Sequence, residues 1–329
     1  MVQLTISAAS KPPALARGLP LTIDVTPEAT ISDVKRAIVA KYPKFTPTRQ
    51  RLTVKGERKA LVDETKLADV LTGKADGWEL QLKDLGAQIS WQTVFIVEYL
   101  GPMLIHPLFY HFPRFWYGVD VEHSALQKYI YVFVMLHFAK RELETLYVHR
   151  FSHDTMPWFN IFKNSGHYWV LSGAFTLTSQ WIPGSSCCAG VIFAADIYRP
   201  AFSATSPYIV NTLRDNEHYL WICAGLWAFA ELSNLHTHLT VSALRPPGTR
   251  KRGIPFGYGF NLVSFPNYFF ETLGWLVITG MSGSPGVALF TVVSFTQMAL
   301  WAVKKHKNYK KEFGKEYPRS RKALIPFIL

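Results

Sequence analysis

The sequence predicts a polytopic α-helical membrane protein with a small soluble domain at its N-terminus. The 329-residue chain is 49% hydrophobic and 15% aromatic, and its long apolar runs lie within residues 91–303, whereas residues 1–90 are polar and mixed. A helix needs about 20 apolar residues to cross the hydrocarbon core of a bilayer, and several runs reach that length. We therefore divide the chain into a soluble head (1–84), a transmembrane bundle (85–303) and a basic tail (304–329).

The net charge of +12 is concentrated in two clusters. Residues 304–322 hold nine Lys or Arg against two Glu, and residues 245–252 hold four more basic residues. A basic protein can bind nucleic acid, but both clusters directly follow apolar runs, as cytosolic loops do under the positive-inside rule. The charge pattern therefore favours a membrane protein and predicts no nucleic-acid partner.

The head has the pattern of a ubiquitin-like β-grasp fold. Residues 2–7 and 21–25 alternate apolar and polar side chains, which predicts a β-hairpin. Thr30 then caps a helix with an apolar stripe, and residues 50–54 and 78–83 predict two more strands. The N-terminal segment lacks the apolar core of a signal peptide, so we expect the head to remain cytosolic, in a docking or regulatory role.

Six apolar stretches qualify as spans, at residues 91–112, 125–146, 166–183, 218–241, 262–281 and 287–303. A seventh run, at 187–204, is short and is interrupted by Asp196, Arg199 and Pro200. If the head and both basic clusters are cytosolic, the chain crosses four times before Arg245 and twice after it. Six spans fit this topology, and the seventh run is then lumenal or interfacial.

Ionisable side chains inside spans are costly, and they usually mark function or buried pairing. Glu98 lies midway through the first predicted span. Lys140 and Arg141 end the second span, where snorkelling to the cytosolic interface is the simpler interpretation. Glu98 is equally compatible with a structural ion pair and with a functional role.

Polar residues recur at helical spacing in the fourth predicted span. Asn234, His238 and Arg245 stand at i, i+4 and i+11, so a continued helix places them on one face. A polar stripe that ends in arginine suits a phosphate near the cytosolic surface.

The fifth predicted span carries the strongest physical signal in the chain. Asn267, Glu271 and Trp275 share one helix face, and Tyr268 stands three residues before Glu271, close enough for a hydrogen bond. An apolar helix has no need of Asn, Tyr and Glu within one and a half turns. The pattern predicts a reactive site inside the bilayer.

The sequence lacks the residue spacing that several other kinds of site require. The 11 histidines are scattered without the paired boxes of a di-iron enzyme, and the three cysteines have no metal spacing, so no metal is expected. Gly257 and Gly259 lack the third glycine and the preceding strand of a dinucleotide fingerprint. There is neither a phosphate-binding P-loop nor a hydrolase nucleophile elbow.

Motifs spread along the chain resemble the steroid 5α-reductase superfamily. The resemblance lies in VSFPNYFFE (263–271), LRPPG (244–248), KHKNY (305–309) and the terminal RKALIPF (321–327). The segments DLGAQISW (84–91) and ETLYVHRFSH (144–153), together with the ubiquitin-like head, resemble its very-long-chain trans-2-enoyl-CoA reductase branch in the endoplasmic reticulum. The expected fold is therefore a steroid 5α-reductase-like bundle.

The resemblance implies a reaction, a location and partners. The reaction is reduction of a very-long-chain trans-2-enoyl-CoA to the saturated acyl-CoA by NADPH, the last step of each fatty-acid elongation cycle. The location is the endoplasmic reticulum membrane, with both termini cytosolic. The implied partners are membrane lipid and the other elongation enzymes, namely elongase, ketoacyl reductase and dehydratase.

The resemblance also implies site residues. Tyr268 and Lys140 match positions regarded as essential in the family, and Glu98 and the substrate-site residue Gln88 are also implicated. The matching cofactor-binding positions are Asn234, His238, Arg245, Asn267, Glu271 and Tyr309; the steroid-reducing relatives have an aspartate at the position of His238. We assign Tyr268 as the acid that protonates C2. Lys140 either assists this phenol or holds a cofactor phosphate, and Glu98 orients the thioester or the nicotinamide carboxamide.

Two alternative functions remain open at this stage. The first is a 3-oxo-steroid 5α-reductase, against which the head and the Tyr268 position argue. The second is a non-catalytic membrane scaffold that displays the head as an adaptor, which leaves the polar residues of the fifth span without a purpose.

Overall fold

The structure, a computed structural model, describes residues 1–71, 78–151, 155–166, 168–169, 193–245 and 253–329. The described chain forms two compact units. Residues 1–90 and 155–159 make up the first, and the rest makes up the second.

The first unit contains a four-stranded mixed sheet with the order β2-β1-β4-β3. Its strands are β1 (Val2–Ala8), β2 (Leu21–Val25), β3 (Gln50–Val54) and β4 (Glu79–Asp84), and its helices are α1 (Ile31–Lys41) and α2 (Leu67–Leu71). The central strands β1 and β4 run parallel, and the outer strands run antiparallel to them. This arrangement confirms the predicted β-grasp head.

Helix α1 is positioned by its N-terminal cap and its apolar face. The Thr30 hydroxyl accepts a hydrogen bond from the Asp33 amide at 3.3 Å, and the Asp33 carboxylate accepts one from the Thr30 amide at 2.8 Å. These two bonds form a capping box, which satisfies free amide groups at the start of the helix. Ile31, Val34 and Ile38 are buried in the core of the head.

The first unit also contains a short antiparallel pair, β5 (Gln88–Ser90) with β6 (Thr155–Pro157). The second unit is helical. Its helices are α3 (Trp91–His111), α4 (Pro113–Tyr117), α5 (Ala125–Leu143), α6 (Asn160–Gly166), α7 (Phe193–Ile197), α8 (Glu217–Ala243), α9 (Pro266–Ser282) and α10 (Pro285–Phe313). Helix α5 continues into a π-helical turn at Glu144–Val148. Helix α9 packs against both α8 and α10, and α3 packs against α5.

Two of the described helical stretches, Trp91–His111 and Pro285–Glu316, are long and apolar enough to cross a membrane, with mean hydropathies of 1.3 and 1.7. Helices α5, α8 and α9 also coincide with predicted spans, but they do not combine the length and apolarity of those two, and α9 has only 17 residues. The third predicted span lies largely outside the described residues. The six-span count therefore stays a prediction.

Asp196, which interrupts the seventh apolar run, has a structural role in the bundle. Its carboxylate accepts hydrogen bonds from Ser284 and from the Gly286 amide at the start of α10, and Arg199 Nε lies 3.0 Å from its other oxygen. An acidic group near a helix N-terminus compensates free amides and the positive end of the helix dipole. Asp196, which interrupts the seventh apolar run, therefore caps the N-terminus of α10.

The predicted basic tail at residues 304–329 begins inside α10 and is packed against the bundle. The Ser264 amide donates a hydrogen bond to the Lys322 carbonyl at 2.8 Å, and Leu324 is buried. The chain end is thus held beside the start of α9.

Candidate active site

The last turns of α5 carry four ionisable side chains on one face. His137, Lys140, Arg141 and Glu144 stand at i, i+3, i+4 and i+7, which aligns them along a helix. His137, Arg141 and Glu144 are buried, and 16% of the Lys140 side chain is exposed. The snorkelling interpretation of Lys140 and Arg141 is therefore wrong, because both side chains are packed inside the bundle.

Lys140 is held by two residues of α8. Its ammonium nitrogen lies 2.6 Å from Glu231 Oε2 and donates a hydrogen bond to Asn234 Oδ1 at 2.6 Å. His137 Nδ1 lies 2.8 Å from the other oxygen of Glu231, so this carboxylate bridges the histidine and the lysine. Asn234 in turn donates to the Asn267 carbonyl at 2.8 Å, which connects α8 to the first turn of α9.

Arg141 connects α5 to α3. Its guanidinium donates to the Tyr99 hydroxyl at 2.8 Å and lies 2.5 Å from Glu144 Oε2. Glu144 begins the π-helical turn, and the Thr145 hydroxyl donates to the Arg141 carbonyl there. Single π-helical turns within α-helices frequently occur at functional sites.

Two histidines meet at the end of this network. His149 Nε2 lies 2.8 Å from His238 Nδ1, so one ring donates and the other accepts. Burial, together with the charges of Arg141 and Lys140, lowers the pKa of His149 to about 3, so this ring is neutral at physiological pH. His238 Nε2 also lies 3.5 Å from Asn267 Nδ2, which places His238 between α5 and α9.

Helix α9 contributes the polar face that the sequence predicted. Asn267 contacts His238, and Trp275 packs on His137 with ring centroids 4.7 Å apart. Glu271, between them on the same face, is close enough to interact electrostatically with Arg141. We call His137, Lys140, Arg141, Glu144, His149, Glu231, Asn234, His238, Asn267 and Glu271, with Tyr99, the polar cluster.

Tyr268 lies beside α10 and has a cationic partner on that helix. Its hydroxyl accepts a hydrogen bond at 2.8 Å from Lys305 of α10. The sequence left two roles open for Lys140, assistance to this phenol or binding of a cofactor phosphate. The Lys140 ammonium bonds to residues of α8. Tyr268 follows Asn267 by one residue and is therefore rotated about 100° around α9 from the polar face.

Glu98 is buried in α3, with 2% of its surface exposed. Among the described residues, its Oε1 atom has no hydrogen-bond partner. Asn164 and Arg141 are the neighbours that act on its charge. The predicted ionisable residue of the first span thus lies at the α3 side of the polar cluster, with one oxygen available to a ligand.

Arg245 does not continue the stripe of α8, which ends at Ala243. The expectation of one continuous face through Asn234, His238 and Arg245 is therefore wrong. Arg245 donates instead to the Arg150 carbonyl at 2.6 Å.

Gln88 and Tyr309 belong to other elements than the residues of the polar cluster. Gln88, in β5, donates to the Leu85 carbonyl at 2.9 Å and belongs to the first unit. Tyr309, in α10, stacks on Tyr317 with ring centroids 5.6 Å apart. Their predicted roles in substrate and cofactor binding stay predictions.

Glu144, His149 and His238 form a group whose potential ligand atoms lie within 4.8 Å of one another. This spacing could hold a metal ion, which the sequence did not predict. Arg141 already pairs with Glu144, so the charge of the carboxylate is balanced without a cation. The group is better described as part of the hydrogen-bond network.

Comparison with known proteins identifies the family. The family described as 3-oxo-5-alpha-steroid 4-dehydrogenase matches residues 154–329, and the TECR ubiquitin-like domain matches residues 21–78. The chain is 45% identical over 283 residues to a putative enoyl reductase of Schizosaccharomyces pombe, covering 85% of this chain and 87% of the relative. The chain belongs to the enoyl reductase branch of this family.

Two further relatives support that placement. A probable very-long-chain enoyl-CoA reductase of Caenorhabditis elegans is 36% identical over 309 residues, covering 91% of each chain. A very-long-chain enoyl-CoA reductase of Dictyostelium discoideum is 40% identical over 253 residues, covering 76% of this chain and 74% of the relative. The protein is therefore an oxidoreductase of a membrane family, which confirms the family resemblance read from its motifs.

Sequence reasoning missed several members of this reductase's polar cluster. Glu144 and His137 could have been found, because they extend the Lys140 face of α5 at helical spacing. Glu231 could also have been found, as a carboxylate inside an apolar span three residues before Asn234. Lys305 carried no such signal, since only the packing of α9 on α10 brings it to Tyr268.

Proposed function

We propose that this protein reduces the C2=C3 double bond of very-long-chain trans-2-enoyl-CoA with NADPH, closing each cycle of fatty-acid elongation. The observation that carries the proposal is the polar cluster, buried where helices α3, α5, α8 and α9 meet. Replacing a buried ion pair by apolar residues is often neutral or stabilising. A network of this size therefore points to chemistry rather than to stability, and the relatives named above are called enoyl reductases.

The residues of the polar cluster fit a nicotinamide cofactor. The amides of Asn234 and Asn267 offer the donors and acceptors that a carboxamide requires. Arg141 Nε and Glu98 Oε1 are buried, and neither has a hydrogen-bond partner within the part of the chain that the structure describes. Buried polar atoms are normally paired, so these two atoms suit a polar ligand. NADPH would supply the hydride that reduces C3.

The chain's own residues manage charge and protons in the proposed reaction. Hydride addition to C3 leaves negative charge on the thioester oxygen and on C2, which fixed donors stabilise. Tyr268 gives its hydroxyl proton to C2 and acts as the general acid. Lys140 supplies a positive charge on the Asn234 side, and its pair with Glu231 holds it in place.

An apolar groove beside Tyr268 suits the acyl chain. A cavity of about 360 Å³ lies between α9 and α10 and is lined by Phe269, Thr272, Leu273, Leu276, Thr291, Val292, Phe295, Leu324 and Ile325. Tyr268 packs in the same apolar cluster as Phe269 and Phe295. Ligand pockets usually measure about 300–1,000 Å³. An acyl chain in this groove would bring its thioester end to the phenol while the CoA head stays in water.

The proposed setting is the endoplasmic reticulum membrane, crossed six times, with both termini in the cytosol. The two basic clusters support this topology, because they follow apolar runs as cytosolic segments do. Elongase, ketoacyl reductase and dehydratase would be the neighbouring enzymes, since they form the substrate that this step consumes.

The proposal is tested by NADPH oxidation with trans-2-enoyl-CoA of graded chain length, using purified full-length protein and mass spectrometry of the saturated product. We expect turnover with long chains and none with a 3-oxo-4-ene steroid. Tyr268→Phe should abolish turnover and leave NADPH binding intact, because only the proton donor is lost, whereas the control Tyr219→Phe should remain active. Absence of turnover at every chain length would refute the function, and an active Tyr268→Phe enzyme would remove Tyr268 from the role of acid.

A further inference from the structure

The phenol of Tyr268 receives a hydrogen bond from Lys305, a lysine to which the sequence analysis assigned no role. Lys305 Nζ donates to the Tyr268 hydroxyl at 2.8 Å. The same ammonium lies 5.3 Å from the centre of the Tyr268 ring and 5.7 Å from that of Phe265. Cation–π contact with two rings and a hydrogen bond to one hydroxyl fix the ammonium beside the phenol oxygen.

Lys140 is badly placed for this task by comparison. Its ammonium is occupied by the Glu231 carboxylate and the Asn234 amide, both on α8. The charge of Lys140 is thus balanced within the polar cluster. Lys305, on α10, bonds directly to the phenol.

Lys305 also connects the reactive phenol with water. Lys305 is exposed, whereas Tyr268 is partly buried in an apolar cluster around Ala302 and Leu324. Lys305 is also close enough to interact electrostatically with His238 of the polar cluster. An exposed ammonium bonded to a half-buried hydroxyl gives a short route for a proton from solvent.

We infer that Lys305 is a positioning residue for Tyr268, which orients the phenol and returns the proton that it gives away. The inference rests on the proposed function, in which Tyr268 is the acid. The hydride forms the C3–H bond, and the electron pair left at C2 takes the hydroxyl proton, so the Tyr268 O–H bond breaks as the C2–H bond forms. The phenolate then takes a proton from the Lys305 ammonium, and the resulting amine takes one from water. One hydride and one solvent proton are consumed for each double bond.

The test uses full-length enzyme with NADPH and the best enoyl-CoA substrate. We expect Lys305→Ala to lower kcat about 100-fold, the usual size of a general acid–base contribution, with KM and NADPH binding unchanged. Added ethylamine should restore part of the activity, because the exposed site admits a small amine. Lys305→Arg keeps the charge that orients the phenol but cannot return a proton, so its kcat should fall between those of Lys305→Ala and the wild type. Lys128→Ala, at the far end of α5, should match the wild type.

The outcomes separate the two proposals. Inactive wild-type enzyme would refute the function itself. Active wild type, inactive Tyr268→Phe and an unimpaired Lys305→Ala would overturn only the inference. A Lys305→Ala loss that no added amine restores would also overturn it, since a structural role behaves in that way.

If Lys305→Ala does not fold, the smaller change Lys305→Gln provides a second measurement. In Lys305→Gln the return of the proton should become slow, so the effect of D₂O on kcat should rise above that of the wild type. An unchanged solvent isotope effect in that variant would overturn the inference.

Discussion

The head and the helical bundle differ in how deeply their ion pairs are buried. In the head, Lys66 and Glu28 form an ion pair whose side chains are 53% and 72% exposed. In the bundle, Arg141 and Glu144 form one whose side chains are 9% and 1% exposed. Exposed pairs contribute about 0–1 kcal/mol, whereas removing one partner of a buried pair costs about 3–5 kcal/mol. Charge in the head favours solubility, and charge in the bundle is retained despite its cost.

The largest expected effect comes from breaking the Lys140–Glu231 pair. Lys140→Met should abolish turnover and destabilise the bundle by about 3–5 kcal/mol, because Glu231 is left buried without its cation. Enoyl-CoA turnover and thermal unfolding in detergent measure the two effects. The matched control is Lys66→Met in the head, for which we expect a change of under about 1 kcal/mol and normal activity.

The double variant Lys140→Met/Glu231→Leu sharpens the same comparison. Removing both charges should recover most of the stability, since no unpaired carboxylate remains, while turnover stays lost. If the double variant recovered turnover as well, the pair would be structural. An unchanged stability in Lys140→Met would show that the charges of the bundle behave like those of the head.

A smaller effect is expected from a steric change within the bundle. A Cβ at Gly101 of α3 would clash with the Trp169 ring, whereas one at Gly225 of α8 would meet nothing within 4 Å. Gly101→Ala should destabilise the bundle by about 1–3 kcal/mol, as overpacking does. Gly225→Ala should be neutral or stabilise it by about 0.5–1 kcal/mol, the helix preference of alanine over glycine. Equal unfolding temperatures for the two variants would contradict the close approach of the Trp169 ring.

The same contrast explains what sequence reasoning could predict. The head followed from local rules, since strand alternation and the Thr30 cap act within a few residues. In the bundle, helical spacing placed Asn267 and Glu271 on the correct face of α9. The pairing of Tyr268 with Lys305, 37 residues away, depends on how α9 and α10 pack, which no local pattern encodes. The interpretation of Lys140 as an interfacial residue failed for the same reason, because its partners lie on another helix.

The smallest expected effect concerns the cap of α1 in the head. Thr30→Ala should cost about 1 kcal/mol, the usual value for an N-cap residue, because the Asp33 amide loses its acceptor. Hydrogen exchange of residues 31–41 in the full-length protein would report the loss as faster exchange in the first turn. Turnover should not change, and a loss of turnover would show that the head and bundle are coupled in catalysis.

The pH dependence of the stability of the head provides an internal control for the Thr30→Ala prediction. Hydrogen bonds from the Thr30 amide and hydroxyl, together with Arg36, lower the pKa of Asp33 from 3.8 to about 2. A lowered carboxyl pKa stabilises the folded head above the unfolded value near 3.8, and this contribution is lost as the pH falls through 2. In Thr30→Ala the pKa of Asp33 should move back toward 3.8, so the stability of the two heads should converge in acid. An NMR titration of the Asp33 carboxyl in a fragment of residues 1–90 measures this, and equal titration midpoints in the two chains would show that Thr30 does not hold the carboxylate.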